Sequence, residues 1–194
     1  MPRIKDPLTL EYALLGFIQA EPVHGYELHQ RLEQTEMLGL VWRLKQRQLY
    51  ALLERLEVEG YLESTTEMQE NRPPRRMLHL TPSGAAAFQR WLTTPVEHGR
   101  DFRQEFMAKL YFARGEGPTT VTRLLDQQRA TCQRWIMIFN RQLASTPAGR
   151  VLDALVFHFR IGQLEAILQW LDTCSHSFEQ SARPDETLGK PGST

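Results

Sequence analysis

The stretch QRQLYALLERLEVEGYLESTTEMQENRPPRRMLHLTPSG, residues 46 to 84, decides how the chain is read. Its first part carries Leu49, Leu52, Leu53, Leu56 and Val58 near a 3.6-residue period, which predicts an amphipathic helix over about 45–59. Gln46, Arg47, Gln48, Ala51, Glu54 and Arg55 fall largely on the opposite side, and Gly60 is the expected stop. Tyr61-Leu62 and Met77-Leu78-His79-Leu80 then read as short strands around the turn cluster Asn71-Arg72-Pro73-Pro74. A Pro pair has no N–H to give a ladder, so it is expected at the loop. Thr81-Pro82-Ser83 offers an N-cap with Pro at the first helical turn. Helix, hairpin, helix, with arginines at the hairpin tip, is the outline of a winged helix-turn-helix, and that outline predicts contact with DNA.

Reading outward, residues 8 to 20 form a first helix, with Thr9 as N-cap candidate and Leu10, Leu14, Phe17 and Ile18 turned inward. Pro22-Val23-His24-Gly25 breaks it. A second helix opens at Gly25 and reaches about residue 35, and Gly39 marks another break. A further helix over about 83–93 carries Phe88, Trp91 and Leu92, and Pro95-Val96-Glu97-His98-Gly99 is the best boundary in the chain. Beyond it the pattern is helical. Residues 102–114 align Phe102, Phe106, Leu110 and Tyr111 on one face. Residues 119–145 place Val121, Leu125, Gln128, Cys132, Trp135 and Phe139 on a seam of alternating four- and three-residue steps. The last helix, about 150–177, is apolar on two sides: Leu155, Phe159 and Gly162 on one, Ile167, Leu171 and Cys174 on the other. A helix apolar on two sides has two partners. The expected fold class is mainly α with a small β-hairpin. The expected organisation is a winged helix-turn-helix over 8–94, a three-helix C-terminal dimerisation domain over 100–178, and a disordered tail over 179–194.

Composition narrows the function classes. The chain has 194 residues, 41% of them hydrophobic, with no apolar run long enough to span a membrane and no apolar signal core at its start. Cys132 and Cys174 match no metal spacing and are too few for a disulfide scaffold, so a reduced cytoplasm is the expected setting. No Ser/His/Asp order, Gly-rich phosphate loop, paired carboxylates or HExxH appears, which argues against an enzyme, and no cofactor is implied. Net charge is zero, yet Arg43, Lys45 and Arg47 cluster before Tyr50, and Arg72, Arg75 and Arg76 cluster on the hairpin. Two basic clusters in neutral surroundings suit a salt-sensitive DNA contact.

The candidate DNA-binding residues follow from position. Gln46, Arg47 and Gln48 begin the proposed recognition helix, where Gln pairs with adenine and Arg with guanine. Arg43 and Lys45 flank them. Arg72, Arg75 and Arg76 sit where a wing meets the phosphate backbone or a minor groove. Tyr50 is either a phosphate-contacting hydroxyl or a half-buried support for the core. His24 and Tyr26 either cap and pack the second helix or contact phosphate. Leu110, Val121, Leu125, Trp135, Leu155, Phe159, Ile167 and Leu171 are the candidate dimerisation residues. Trp91, Phe102, Phe106, Trp135, Phe139 and Phe159 form either core and dimer seam or the lining of a pocket for a small aromatic or hydrophobic effector.

Residues 8–93 resemble the winged-helix domain of PadR-family transcriptional regulators. The resemblance lies in Leu14-Leu15-Gly16-Phe17, His24-Gly25-Tyr26-Glu27-Leu28, Leu49-Tyr50-Ala51-Leu52-Leu53-Glu54-Arg55-Leu56-Glu57, Glu59-Gly60-Tyr61-Leu62, Arg72-Pro73-Pro74-Arg75-Arg76 and Leu80-Thr81-Pro82-Ser83-Gly84. None of these pieces is specific alone; in this order they are. The remainder resembles the larger subfamily, whose helical C-terminal part mediates dimerisation. The chain departs from the family in carrying Arg43-Leu44-Lys45-Gln46-Arg47-Gln48 where a small Ser, Thr or Gly is common before the recognition-helix Tyr, and Leu78 where an aromatic is common, so no relative's operator is carried over. The resemblance implies a homodimer that binds double-stranded DNA at an inverted repeat and represses transcription. The competing reading is a winged-helix protein-interaction module without sequence-specific DNA binding, which zero net charge favours and the arginine clusters oppose.

Overall fold

The computed structural model describes residues 11–35, 44–69 and 72–182, with side chains undescribed at 67–69, 72–74 and 182. Thr9, Leu10, Gly39, Arg43, Asn71 and residues 183–194 lie outside that set. The elements in order are α1 (Tyr12–Ala20), β1 (Val23–His24), α2 (Gly25–Gln34), α3 (Gln46–Val58), β2 (Leu62–Gln69), β3 (Arg72–Leu80) and α4 (Pro82–Thr93). A short α5 (Gly99–Asp101) leads through a π-helical stretch (Phe102–Phe106) into α6 (Met107–Glu116), followed by α7 (Pro118–Ala144) and α8 (Val151–Ala182). The described residues are mainly helical with one three-stranded antiparallel sheet, ordered β1-β3-β2.

The expected stripe of α3 is real: Leu49, Leu53 and Leu56 are buried, while Leu52 is half-buried and Val58 exposed. Two features of the sheet differ from expectation. Val23 and His24, read as a break, form a strand that pairs with Leu78 and Met77. The segment is too short to show a period, and only its partner makes it a strand. The hairpin is also longer than its apolar ends suggested, and Pro73-Pro74 fall within β3 rather than at the loop. The ladder tolerates them because register shifts there: Glu67 faces Arg75 and Gln69 faces Arg72. Two residues of β3 thus oppose one of β2, a bulge that leaves the prolines without ladder donors to supply.

The end of α3 and the start of α4 are tied together at the base of the wing. Gly60 adopts φ +75°, the left-handed conformation that favours glycine after a helix. Its carbonyl accepts hydrogen bonds from Thr81 Oγ1 at 2.8 Å and Ser83 Oγ at 2.7 Å. Thr81 Oγ1 in turn accepts from the Gly84 amide at 3.0 Å, with Pro82 in the first turn, as the sequence predicts. A Cβ on Gly84 would come within 2.1 Å of the Tyr61 carbonyl oxygen, so only glycine allows α4 to start against the strand.

The molecule divides into two compact units, Met1–Glu116 and Gly117–Thr194. In the first, α1 and α4 pack together and α6 packs on both. Phe112 meets Phe88, Trp91 and Phe17 edge-on, the last at 5.2 Å, and Phe88 and Trp91 lie tilted against each other. The turn residues Pro95–Gly99 lie inside this compact unit, and α6 after them packs on α1 and α4. The second unit is an antiparallel pair, α7 and α8. Its seam buries Val121, Leu125, Gln128 and Cys132 of α7 against Ile161, Leu164, Leu171 and Cys174 of α8. Arg129 bridges the pair at 2.8 Å from both Asp126 and Asp172. Helix α8 continues to Ala182, into the segment expected to be disordered.

Candidate nucleic-acid interface

Three elements of the first unit meet at one depression: the start of α2, the middle of α3 and the base of β3. His24, Gly25, Tyr26, Tyr50, Leu53, Arg75, Arg76 and Leu78 line it, around a volume of about 170 Å³. Leu53 and Leu78 are buried and make its floor. The Tyr50 ring lies over Gly25, where a Cβ would come within 2.9 Å of the ring. Tyr50 remains 39% exposed, so it both supports the α2–α3 junction and presents an edge to solvent. Five sequence-predicted residues, far apart in the chain, are brought to this rim.

His24 is a working cap. Its amide donates to Glu27 Oε2 at 3.3 Å, which closes a capping box at the start of α2. Its Nδ1 lies 3.1 Å from the Arg76 carbonyl oxygen, linking α2 to the wing. Tyr26 is 58% exposed, and its hydroxyl accepts a hydrogen bond from Gln30 Nε2 at 2.9 Å. Arg75 and Arg76 are exposed. The Arg76 guanidinium is ion-paired with Glu57, near the end of α3. Arg72 lies in β3 with its side chain outside the described set, and Arg43 is outside it altogether.

At the start of α3, Lys45, Gln46, Arg47 and Gln48 are all exposed. They are not equivalent. Gln48 Oε1 accepts from the Lys45 amide at 3.1 Å, which satisfies one of the otherwise unpaired donors of the helix start. Gln48 can therefore read a base with its full amide only by giving up that cap. Gln46 and Arg47 carry no such engagement among the described residues. Glu57 was not among the sequence-predicted residues; an acid in the last turn of α3, just before an arginine-rich wing, is the signal that marks it.

The candidate dimerisation residues separate into groups. Leu110, Val121, Leu125 and Leu171 are buried within the chain's own cores, and Trp135 and Ile167 are half-buried. Leu155 and Phe159 are 56% and 71% exposed. They share the first turns of α8 with exposed Val151, Leu152 and Val156, while Met137 and Ile138 are exposed near the end of α7.

A second cavity of the first unit, about 630 Å³, is lined by Tyr12, Trp91, Arg90, Thr94, His98, Glu105 and Lys109, among others. Of the aromatics considered for an effector pocket, Trp91 lines it. Phe102 and Phe106 are buried and stack on each other at 4.4 Å. Lys109 is 1% exposed. Burial pushes its pKa down, opposed by Glu105 at 2.9 Å. Its ammonium also donates to the Thr94 carbonyl at 2.6 Å and lies 5.3 Å from the Trp91 ring. No group of His, Cys, Asp and Glu able to hold a metal occurs among the described residues, and no described helix is long and apolar enough to cross a membrane.

Two family profiles match this chain. Residues 14–90 match the profile of the Transcriptional regulator PadR-like family, and residues 102–179 match that of the Virulence activator alpha C-term family. The negative transcriptional regulator PadR of Bacillus subtilis is 32% identical over 104 residues, 54% of this chain and 56% of that protein. The chain thus spans little more than half of that relative's length. A probable transcriptional regulator of Mycobacterium tuberculosis is 26% identical over 190 residues, 89% of this chain and 99% of that one. The crystal structure of Bacillus subtilis PadR in complex with operator DNA is similar at 23% identity, covering 89% of this chain and 99% of that one, with a TM-score of 0.45.

Proposed function

We propose, since this chain belongs to the PadR-like family of transcriptional regulators, that it is a cytoplasmic homodimer that binds an inverted-repeat operator in double-stranded DNA and represses transcription. The observation that carries the reading is the depression where His24, Tyr26, Tyr50, Arg75 and Arg76 converge beside the exposed Gln46 and Arg47. Donors from the α2 start and the wing would hold phosphates on either side of a groove, and the start of α3 would reach base edges within it. Phosphate contacts set register and orientation; Gln46 and Arg47 supply the sequence dependence.

Dimerisation rests on the exposed apolar turns of α8, which no element of the same chain covers among the described residues. Two copies related by a two-fold axis set their α3 helices about 34 Å apart, one helical turn of DNA. Repression is then exclusion of polymerase from the occupied site. A small aromatic effector is assigned to the cavity walled by Tyr12 and Trp91. It can act only by differential affinity for two arrangements of the protein.

Electrophoretic mobility shift of the full chain on its own upstream DNA tests the reading. A retarded band that survives excess random duplex is expected. No band, with the protein folded, would favour the protein-interaction module.

A further inference from the structure

Arg76 is held twice. Its guanidinium pairs with Glu57 near the C-terminal end of α3, and its backbone carbonyl meets His24 Nδ1 at 3.1 Å, at the cap of α2. One β3 residue thus ties the wing to both helices of the proposed DNA-binding face. Glu57 is only 16% exposed while Arg76 is 50% exposed. The carboxylate is therefore tucked into the protein, and the arginine bridges from it to solvent. No other cation pairs with Glu57 among the described residues.

We propose that Glu57 is a positioning residue for DNA binding. It sets the wing's angle to α3 and aims Arg76 at a backbone phosphate, without touching the nucleic acid itself. The inference rests on the DNA-binding reading above and names a residue that reading does not use. A guanidinium carries five N–H donors in a planar fork. Engaging Glu57 through one terminal nitrogen leaves donors for a phosphate oxygen and fixes the plane in which they lie. Ordering this long side chain before DNA arrives lowers the rotamer entropy lost on binding. An exposed ion pair contributes little to stability; here its position matters more than its strength.

The alternative is that Glu57 competes with phosphate for Arg76. The two differ in sign. The test uses the full chain and two probes: a duplex selected from a random library by the wild-type protein, and a scrambled duplex of equal length. Affinities are measured against salt for wild type, Glu57→Ala, Glu57→Gln, Arg76→Ala and the double alanine variant. Glu57→Ala is expected to reproduce Arg76→Ala: about tenfold weaker binding to the selected duplex, as for one lost charge-assisted bond. The slope of log affinity against log salt should be shallower by about 0.9, one phosphate's worth. The double variant should be no weaker than either single one. Glu57→Gln keeps an acceptor for the guanidinium and should retain most of the binding, which separates lost aim from lost fold. Tighter binding of Glu57→Ala to both duplexes, with a steeper slope, overturns the proposal and makes Glu57 a competitor. Unchanged binding overturns it as well. If the wild-type chain selects no duplex, the DNA-binding reading itself fails, a different result from either.

Discussion

Arg47 and Gln48 are neighbours at the start of α3, and the structure gives them different work. Both are exposed, but Gln48 spends its amide oxygen on the Lys45 amide at 3.1 Å. Arg47 is thus the stronger candidate for reading a base edge. Arg47→Ala is expected to relax preference at one base pair per half-site, by about 1–3 kcal/mol, the worth of a bidentate pair. Binding to a library of single-base operator variants checks this; a uniform loss across all of them would make Arg47 a phosphate contact. The sequence offers Gln46, Arg47 and Gln48 as candidates because Gln and Arg at the start of a recognition helix suit base edges, and the structure places all three in the open. What could not be read was their pairing. A cap bond from Gln48 depends on the rotamer, and the Glu57–Arg76 pair links positions whose proximity exists only once the hairpin folds back on α3.

Among the elements, helices with long apolar periods stand out in the sequence, whereas the strands β1 and β3 differ from expectation. Helix α3 shows its stripe over 13 residues, enough for a period to stand out. Strand β1 has two residues and no period, and it exists because Leu78 and Met77 offer it a partner. The prolines of the wing were placed at the loop on the sound ground that they cannot donate; a bulge met the same requirement inside the strand. The joint after the wing was legible, since Thr81-Pro82-Ser83-Gly84 spells both the cap and the close approach. Thr81 Oγ1 holds the Gly60 carbonyl and the Gly84 amide together. Thr81→Ala should therefore cost about 1 kcal/mol or somewhat more, read as a lower denaturant midpoint. Thr81→Ser should restore most of it. Equal stability of Thr81→Ala and wild type would show that Ser83 alone holds the joint.

At the scale of the whole molecule, the two-sided last helix was read from sequence, and the described chain covers one of its sides. Leu171 and Cys174 are buried on α7, whereas Leu152, Leu155 and Phe159 are exposed. Family profiles match on either side of Pro95–Gly99, over 14–90 and 102–179, while packing gathers residues up to Glu116 into the first unit. Because Phe159 is 71% exposed in the single chain, Phe159→Asp should leave each subunit folded and still separate the proposed dimer. An isologous interface takes each substitution twice, and burying an unpaired charge costs several kcal/mol. Sedimentation at micromolar concentration should show the variant as a monomer with wild-type helix content. A variant that remains dimeric would move the interface elsewhere. In the proposed dimer the start of α3 in each copy reads one half-site, and both are read at once. Titration of a fluorescent inverted-repeat duplex, selected by the chain, against the same duplex with one half-site scrambled tests it most directly. Two chains per duplex are expected, with affinity lost by orders of magnitude on scrambling, since both recognition helices must dock together for full affinity. One chain per duplex, or equal affinity for the intact and the scrambled repeat, would contradict the account.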